Sequence, residues 1–305
     1  MLAFKPVTIQ DKSRLEVYLR RTDSFFCDLC FTDIFLWKDF YETDYCIKDD
    51  TLFLFYKSSQ DKKPCYVMPI GSNKLEKAIS MIKEDAKERQ IQPIITCLTS
   101  EQAKEIEKAY PNDFIFEELR NSADYLYSST DLINLKGNKY HKKKNLINRF
   151  KKTFDNKWRY ENITSEHIDE IWSFYEMWFQ KNHGVGENFF LNGEKQAIRL
   201  ALNNFNKLNL QGGLLRLEGQ IIAFSIGSQS TEDMFIILIE KADSNIIGAY
   251  QMINQQFARA KCQNIKWINR EEDLGITGLR KAKLSYHPSF IAMKYKAKLK
   301  DDGVV

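Results

Sequence analysis

Between residues 269 and 288 the chain reads NREEDLGITGLRKAKLSYHP, the densest polar constellation in the sequence. Two or three acids, among them Glu271 and Asp273, are followed closely by Arg280, Lys281 and Lys283. Carboxylates next to fixed cations can supply a base, an anion clamp and the network that orients both. Asn269 opens the run where a buried strand is expected to end, the edge at which open α/β sheets place their ligand crevice. The same residues also fit a capped loop closed by internal salt bridges. From Arg280 to Lys300 there are seven basic residues and no acid, which adds weight to an anionic partner.

A second stretch, KGNKYHKKKNLINRFKKTFDNKWR at 136–159, holds ten Lys or Arg and one acid. Its local balance is +9; subtracting this from the +4 of the whole chain leaves −5 for all other residues. Charge concentrated in this way creates a field able to hold a polyanion. As a helix from about residue 140, its apolar positions Tyr140, Leu146, Ile147, Phe150 and Phe154 fall in one arc. Lys142 and Arg149 then face water. Lys143, and less squarely Lys139, fall on or beside the apolar arc, where a lysine must snorkel, pair with an acid or face a cleft. The run reads either as a solvated helix face or as the mouth for a phosphate-bearing donor, with Lys136, Lys139, Lys142, Lys143, Lys144 and Arg149 as donor contacts.

The totals set bounds on what these stretches can belong to. At 305 residues the chain has room for two domains, and 13% aromatic residues exclude a disordered chain. No apolar run reaches the roughly 18–20 residues needed to cross a bilayer. The start lacks a basic segment followed by an apolar one, so a cytoplasmic location is expected. Cys27 and Cys30 have the spacing of half a zinc site, but they sit in the apolar segment FFCDLCFTDIFLW and no second close pair exists. The four His show no metal-binding spacing, and no metal is expected.

Elements must hold these residues in place. Helices are expected at 9–21 and 30–40, strands at 45–47, 52–56 and 66–70, a helix at 74–89, a strand at 94–97, a helix at 100–109, and strands at 114–116 and 123–128. After the basic helix come a strand at 158–160, a helix from 164 or 165 to 181, a glycine-bearing loop at 182–188 and a helix at 193–206. A hairpin at 213–217 and 221–228, a strand at 234–241, a helix at 246–261, a strand at 265–269, a short helix at 275–285 and a strand at 290–295 complete the chain. Strand, helix, strand order appears in both halves, which predicts α/β architecture (α+β with mixed sheets) in two domains, 1–130 and 131–305.

The pairing of KGNKYHKKKNLINRFKK with NREEDLGITGLRKAKLSYHP resembles an uncharacterised bacterial family similar to the C-terminal, catalytic domain of phosphatidylglycerol lysyltransferases. That resemblance spans roughly residues 125–288 and implies two tandem domains of the GCN5-related N-acetyltransferase fold, as in the Fem peptidoglycan aminoacyltransferases. It implies transfer of an acyl or aminoacyl group, in the lysyltransferases from charged tRNA to a lipid headgroup. The transmembrane half of those enzymes has no counterpart here, so any contact with anionic lipid is expected to be peripheral.

Acetyltransferases of that fold cradle a CoA pyrophosphate on backbone N–H groups at a helix start. The matching position, residues 245–250, shares only its first glycine, Gly248, with that pattern, and Tyr250 would crowd the approach. CoA is therefore disfavoured, no cofactor is expected, and aminoacyl-tRNA or another polyanion suits the basic helix better. In the reaction so implied, Glu271 or Asp273 takes the acceptor's proton. Arg280 and Lys283 steady the oxyanion or a donor phosphate, and Asn269 and Lys281 join the donor contacts. The alternatives are a CoA-dependent N-acyltransferase of the same fold and a non-catalytic RNA-binding protein.

Overall fold

Twenty-one Phe and fourteen Tyr supply large apolar surfaces, and the chain gathers them onto two mixed sheets. The computed structural model describes residues 1–22, 24–59, 61–182 and 189–300. Nearly all of the loop expected at 182–188 lies outside them. Two compact units emerge: residues 1–124 with 292–305, and residues 125–291.

The first unit contains β1 (Lys5–Pro6), α1 (Lys12–Leu19), α2 (Phe31–Tyr41), β2 (Asp44–Lys48), β3 (Thr51–Lys57), β4 (Pro64–Val67), β5 (Ile70–Gly71), α3 (Leu75–Arg89), β6 (Ile94–Leu98), α4 (Ser100–Ala109) and β7 (Phe114–Glu118). Helix α3 buries Ala78, Ile79, Ile82 and Ala86, which recur at helical spacing, against a core that includes Phe53, Tyr66, Ile95 and Leu98. Thr99 and Gln102 cap α4 reciprocally. All six cysteines are buried free thiols.

The second unit is a seven-stranded sheet. Its elements are β8 (Asp124–Ser128), α5 (Ser129–Asn134), α6 (His141–Thr153), β9 (Trp158–Asn162), α7 (Ile168–Asn182), α8 (Phe189–Asn203), β10 (Gln211–Leu217), β11 (Gln220–Gln229), β12 (Met234–Ala242), α9 (Ala249–Lys261), β13 (Trp267–Asn269), α10 (Thr277–Leu284) and β14 (Phe290–Ala292). Strand order is β14-β8-β13-β12-β11-β10-β9. Only β12 and β13 pair in parallel among the registered neighbours of this sheet, as a crossover through α9 requires. The core packs Tyr140, Ile147 and Phe150 of the basic segment with Phe235, Met252, Ile253 and Phe257.

The structure departs from the sequence expectations in the strands, the domain bounds, the basic band and the helix starts. The strand expected at 290–295 is two strands: β14 stays in the second sheet, while β15 (Tyr295–Leu299) lies between β6 and β7 of the first. The second domain therefore does not run to residue 305, and the first does not end at 130. The basic band from 280 to 300 also breaks up. Lys294 is buried against Asp28 and Asp124, and Lys296 pairs with Glu117 at 2.9 Å. Helix boundaries shift as well: the helix expected at 193–206 begins at Phe189, and that expected at 246–261 begins at Ala249. No helix among the described residues is long and apolar enough to cross a membrane.

Candidate functional site

Parallel strands that part leave room for a ligand between them, and β12 and β13 part early. Their register runs Met234–Trp267, Phe235–Ile268 and Ile236–Asn269 and ends there. Immediately afterwards β12 bulges. Ile226 of β11 faces Ile239, yet Gly227 faces Ile237, so Leu238 is an extra residue on β12. Such a bulge bends a strand and re-aims the side chains beyond it.

Beyond the bulge lies Glu240, a carboxylate ending an otherwise apolar run, MFIIL I. Arg270, directly after β13, donates from Nη2 to Glu240 Oε1 at 2.8 Å. Asn254 of α9 donates to Oε2 at 2.9 Å, and Ser225 of β11 stands opposite Glu240 in register. Tyr286 lies 4.8 Å and Tyr127 5.8 Å from the Arg270 guanidinium. Arg270 Nη1, Asn254 Oδ1 and Ser225 Oγ are buried with no hydrogen-bond partner among the described residues. Buried polar atoms are normally satisfied, so three around one ion pair mark a place suited to a polar guest.

Sequence reading missed Glu240, Asn254 and Ser225. A signal existed for Glu240: a single acid closing a run of buried-strand residues must meet a partner in the sheet's interior. Asn254 and Ser225 look like ordinary helix and strand residues and become visible only through their neighbours.

Helix α6 brings Lys143 to the same neighbourhood. Its Nζ donates to Ser285 Oγ at 2.6 Å and lies 4.0 Å from the centre of the Tyr286 ring. Burial, with the Arg270 charge nearby, lowers Lys143 to about 8. His287 Nε2 lies 3.0 Å from the Lys139 carbonyl, which joins the start of α6 to the segment after α10. Lys136, Lys139, Lys142 and Arg149 are exposed and Lys144 is half-buried, with Lys139 paired to Asp131 at 2.9 Å.

The acid-rich loop is built differently from the sequence expectation. Asp273 is fully buried and accepts from Tyr125 Oη at 2.6 Å, from Arg280 Nε and Nη2 at 2.8 Å each, and from the Gly275 amide at 2.8 Å. Burial alone would raise its affinity for a proton; the bonds from Arg280, Tyr125 and Gly275 overcome that and hold the carboxyl well below the usual range. Lys283 is buried and donates to the carbonyls of Arg270 and Glu272. Asn269 is buried and accepts from the Glu271 amide at 2.6 Å. Asp273, Arg280, Lys283 and Asn269 thus lock the loop after β13 and fix Arg270 in place. Glu271 is half-buried with a left-handed backbone, φ 56°, and Lys281 is exposed.

The start of α9 completes the site. Gly248 has φ 89°, and a Cβ there would come within 2.5 Å of the Leu146 carbonyl of α6. Both Gly248 and Ala249 are buried, so α6 lies directly over the first turn of α9.

The family described as "Phosphatidylglycerol lysyltransferase, C-terminal" matches residues 20–298. A conserved protein of unknown function from Bacteroides thetaiotaomicron is 37% identical, with TM-score 0.92, covering 98% of this chain and 100% of that one. L-PGS from Bacillus licheniformis is 16% identical, with TM-score 0.64, covering 96% and 93%. An uncharacterised protein of Mycoplasmoides gallisepticum is 27% identical over 207 residues, 66% of this chain and 63% of that relative. The fold is also that of FemX (TM-score 0.56) and of a tandem GNAT protein from clavulanic acid biosynthesis (TM-score 0.51), at 10% and 6% identity. The architecture is accordingly α+β with mixed sheets, in two tandem GNAT-like units.

Proposed function

This chain belongs to the phosphatidylglycerol lysyltransferase C-terminal family, and we propose that it is an aminoacyltransferase. Its donor is a charged tRNA, and its acceptor is an amine or hydroxyl on a polar lipid headgroup or cell-wall precursor. One observation carries the choice of donor. The α9 start, where a CoA pyrophosphate would rest in this fold, is covered by a helix bearing Lys142, Lys144 and Arg149. A helix start whose Gly248 and Ala249 are buried, with the Ala249 amide bonded to the Ile246 carbonyl, suits a pyrophosphate poorly, whereas the cationic helix beside it suits an RNA backbone.

The ester of a charged tRNA is already activated, so positioning and charge stabilisation suffice. The acceptor nitrogen or oxygen attacks the ester carbonyl, the bond to the ribose oxygen breaks, and that oxygen leaves with a proton. Arg270, whose Nη1 has no hydrogen-bond partner among the described residues, faces the carbonyl oxygen as it becomes negative. Neutral Lys143 takes the acceptor's proton, since a lysine near 8 is close to the range useful to a base. Asp273, Arg280 and Lys283 hold the loop, and Lys136, Lys142, Lys144, Arg149 and Lys281 bind the donor.

The deciding experiment incubates the protein with charged tRNA, with and without a phosphatidylglycerol or peptidoglycan-precursor acceptor, and follows release of uncharged tRNA. Acceptor-dependent discharge, lost in Arg270→Gln, is the expected result. Thermal stabilisation by CoA but not by charged tRNA would overturn it in favour of an acyl-CoA enzyme. Tight tRNA binding without discharge to either acceptor would leave a binding protein.

A further inference from the structure

Glu240 and Lys241 are consecutive in β12 and so point to opposite faces of the sheet. Glu240 meets Asn254 of α9, while Lys241 is held by Glu194 of α8 at 2.8 and 2.9 Å. Lys241 also lies 4.1 Å from the centre of the Trp178 ring, which brings the aromatic side of α7 to within one residue of Glu240. Helix α7 buries Ile171, Phe174 and Tyr175 and leaves Trp172, Trp178 and Phe179 half-buried. Exposed Arg199 of α8 lies 4.6 Å from the Trp172 ring, and Lys195, one turn earlier, lies 5.6 Å from Trp172 and 5.0 Å from Phe179. Cations and aromatic rings therefore alternate along the α7–α8 pair.

Contacts of this kind also occur where nothing binds. Tyr175 supplies a separate fact: it is fully buried, its ring stacks on Trp178 at 6.0 Å, and its hydroxyl has no hydrogen-bond partner among the described residues. Buried hydroxyls are normally bonded, so this one marks a place for the polar edge of a guest. Charge narrows the choice. Glu194 offsets Lys241, and Glu176 offsets Lys195 at 3.5 Å, so most of the charge on this face is balanced internally. Such a face suits a flat, neutral ligand with polar edges better than it suits a phosphate. A nucleobase is that ligand, and unpaired bases stack on aromatic rings and guanidinium planes.

We propose that this face takes the unpaired bases at the 3′ end of the RNA donor, stacked against Trp172 and Trp178 with a base edge toward Tyr175 Oη. The proposal rests on charged tRNA as the donor and adds a second contact to it. Helix α6 holds phosphates, and α7 with α8 holds the terminal bases beside β12, one residue from the Glu240 that carries Arg270.

The test compares binding of uncharged tRNA with binding of the same tRNA lacking its last three nucleotides. It uses the full chain, Trp172→Leu/Arg199→Gln, and Arg199→Gln alone. The full chain should lose about tenfold in affinity when the three nucleotides are removed. The double variant should bind intact tRNA about tenfold more weakly than the full chain does, yet bind the shortened tRNA equally well. Arg199→Gln, at an exposed position, should show part of the same selective loss, and it carries the test if Trp172→Leu lowers the melting temperature. Equal affinity of the full chain for the two RNAs overturns the stacking face. So does a variant that binds intact tRNA as the full chain does, or one that loses the same affinity for both RNAs. Discharge of charged tRNA to an acceptor, if it persists in any of these cases, leaves the transferase reading standing. Failure of the full chain to bind either RNA overturns both.

Discussion

A carboxylate that accepts at least four hydrogen bonds while fully buried has no lone pair to offer a substrate proton, and Asp273 is in that position. Its work is mechanical: it ties β8, through Tyr125, to the loop that carries Arg270. Asp273→Asn should lower the melting temperature by about 5–10 °C, because Arg280 and Tyr125 lose an ionised acceptor. At temperatures well below that transition it should retain transfer. The same carboxyl has its pKa lowered in the folded chain, so its stabilisation is present above the ordinary aspartate range and is lost as pH falls below about 4. Acid denaturation of wild type and Asp273→Asn should converge there. Lys143 behaves with the opposite consequence. Its folded pKa is lowered, so folding is penalised while the lysine is charged in both states, and stability rises as pH climbs from about 8 toward the ordinary lysine value. Lys143→Met should therefore be at least as stable as wild type at pH 7 and lack that alkaline gain, read as the difference in melting temperature across the pH series. A lysine kept where it costs stability fits a role in the reaction, and transfer by Lys143→Met should fall about 100-fold or more. If the ascending limb of the wild-type rate profile lay in the carboxylate range rather than near 8, Glu271 would be the base instead.

At the scale of elements, α6 does two things at once. Its apolar stripe, Ile147 and Phe150, packs on α9 and the sheet together with Tyr140 just before it, while Lys142, Lys144 and Arg149 lie toward solvent. Replacing these three by Glu should leave the fold intact, because none is fully buried, and should weaken tRNA binding while flattening its log–log salt slope by about 2. An unchanged affinity, measured by filter binding across salt concentrations, would remove α6 from the donor site. Gly248→Ala tests the other face: a Cβ against the Leu146 carbonyl, at a positive φ, should cost about 1–3 kcal/mol in urea unfolding. Much of this was legible beforehand. The stripe of α6 and the order of strands and helices follow from periodicity, because local spacing sets which face of an element is apolar. The dense acidic run points to Asp273, whose burial cannot be read from its position, whereas the neighbours of Glu240 come from three separate parts of the chain, β11, α9 and the residue after β13. Only the closed sheet brings Ser225, Asn254, Arg270 and Glu240 together.

At the scale of the whole chain, the last strand returns to the sheet of the first unit, between β6 and β7, after the second unit has been completed. No local signal in YKAKL distinguishes one sheet from another, since its pairing partners lie at residues 94–98 and 114–118. What fixes the return is Lys294, just before β15. It is almost wholly buried, pairs with Asp124 at 3.0 Å and with Asp28, and lies 5.4 Å from the Phe26 ring. Asp124 is the last residue of the first unit before the chain enters the second, and Lys294 follows closely on its re-entry, so the ion pair lies within the first unit beside both of its boundaries. Two carboxylates share one buried ammonium, and deleting that charge would leave Asp124 buried against Asp28 with no cation between them. Lys294→Met should therefore cost about 3–5 kcal/mol in the first unit. Hydrogen exchange should show the loss in β6, β7 and β15, with the amides of β10, β11 and β12 protected as before. Asp124→Asn/Lys294→Met, which removes both the cation and the more deeply buried carboxylate, should recover most of the stability. If protection in β15 survived Lys294→Met unchanged, the strand would be held by its ladder alone, and the ion pair would have no part in closing the first unit.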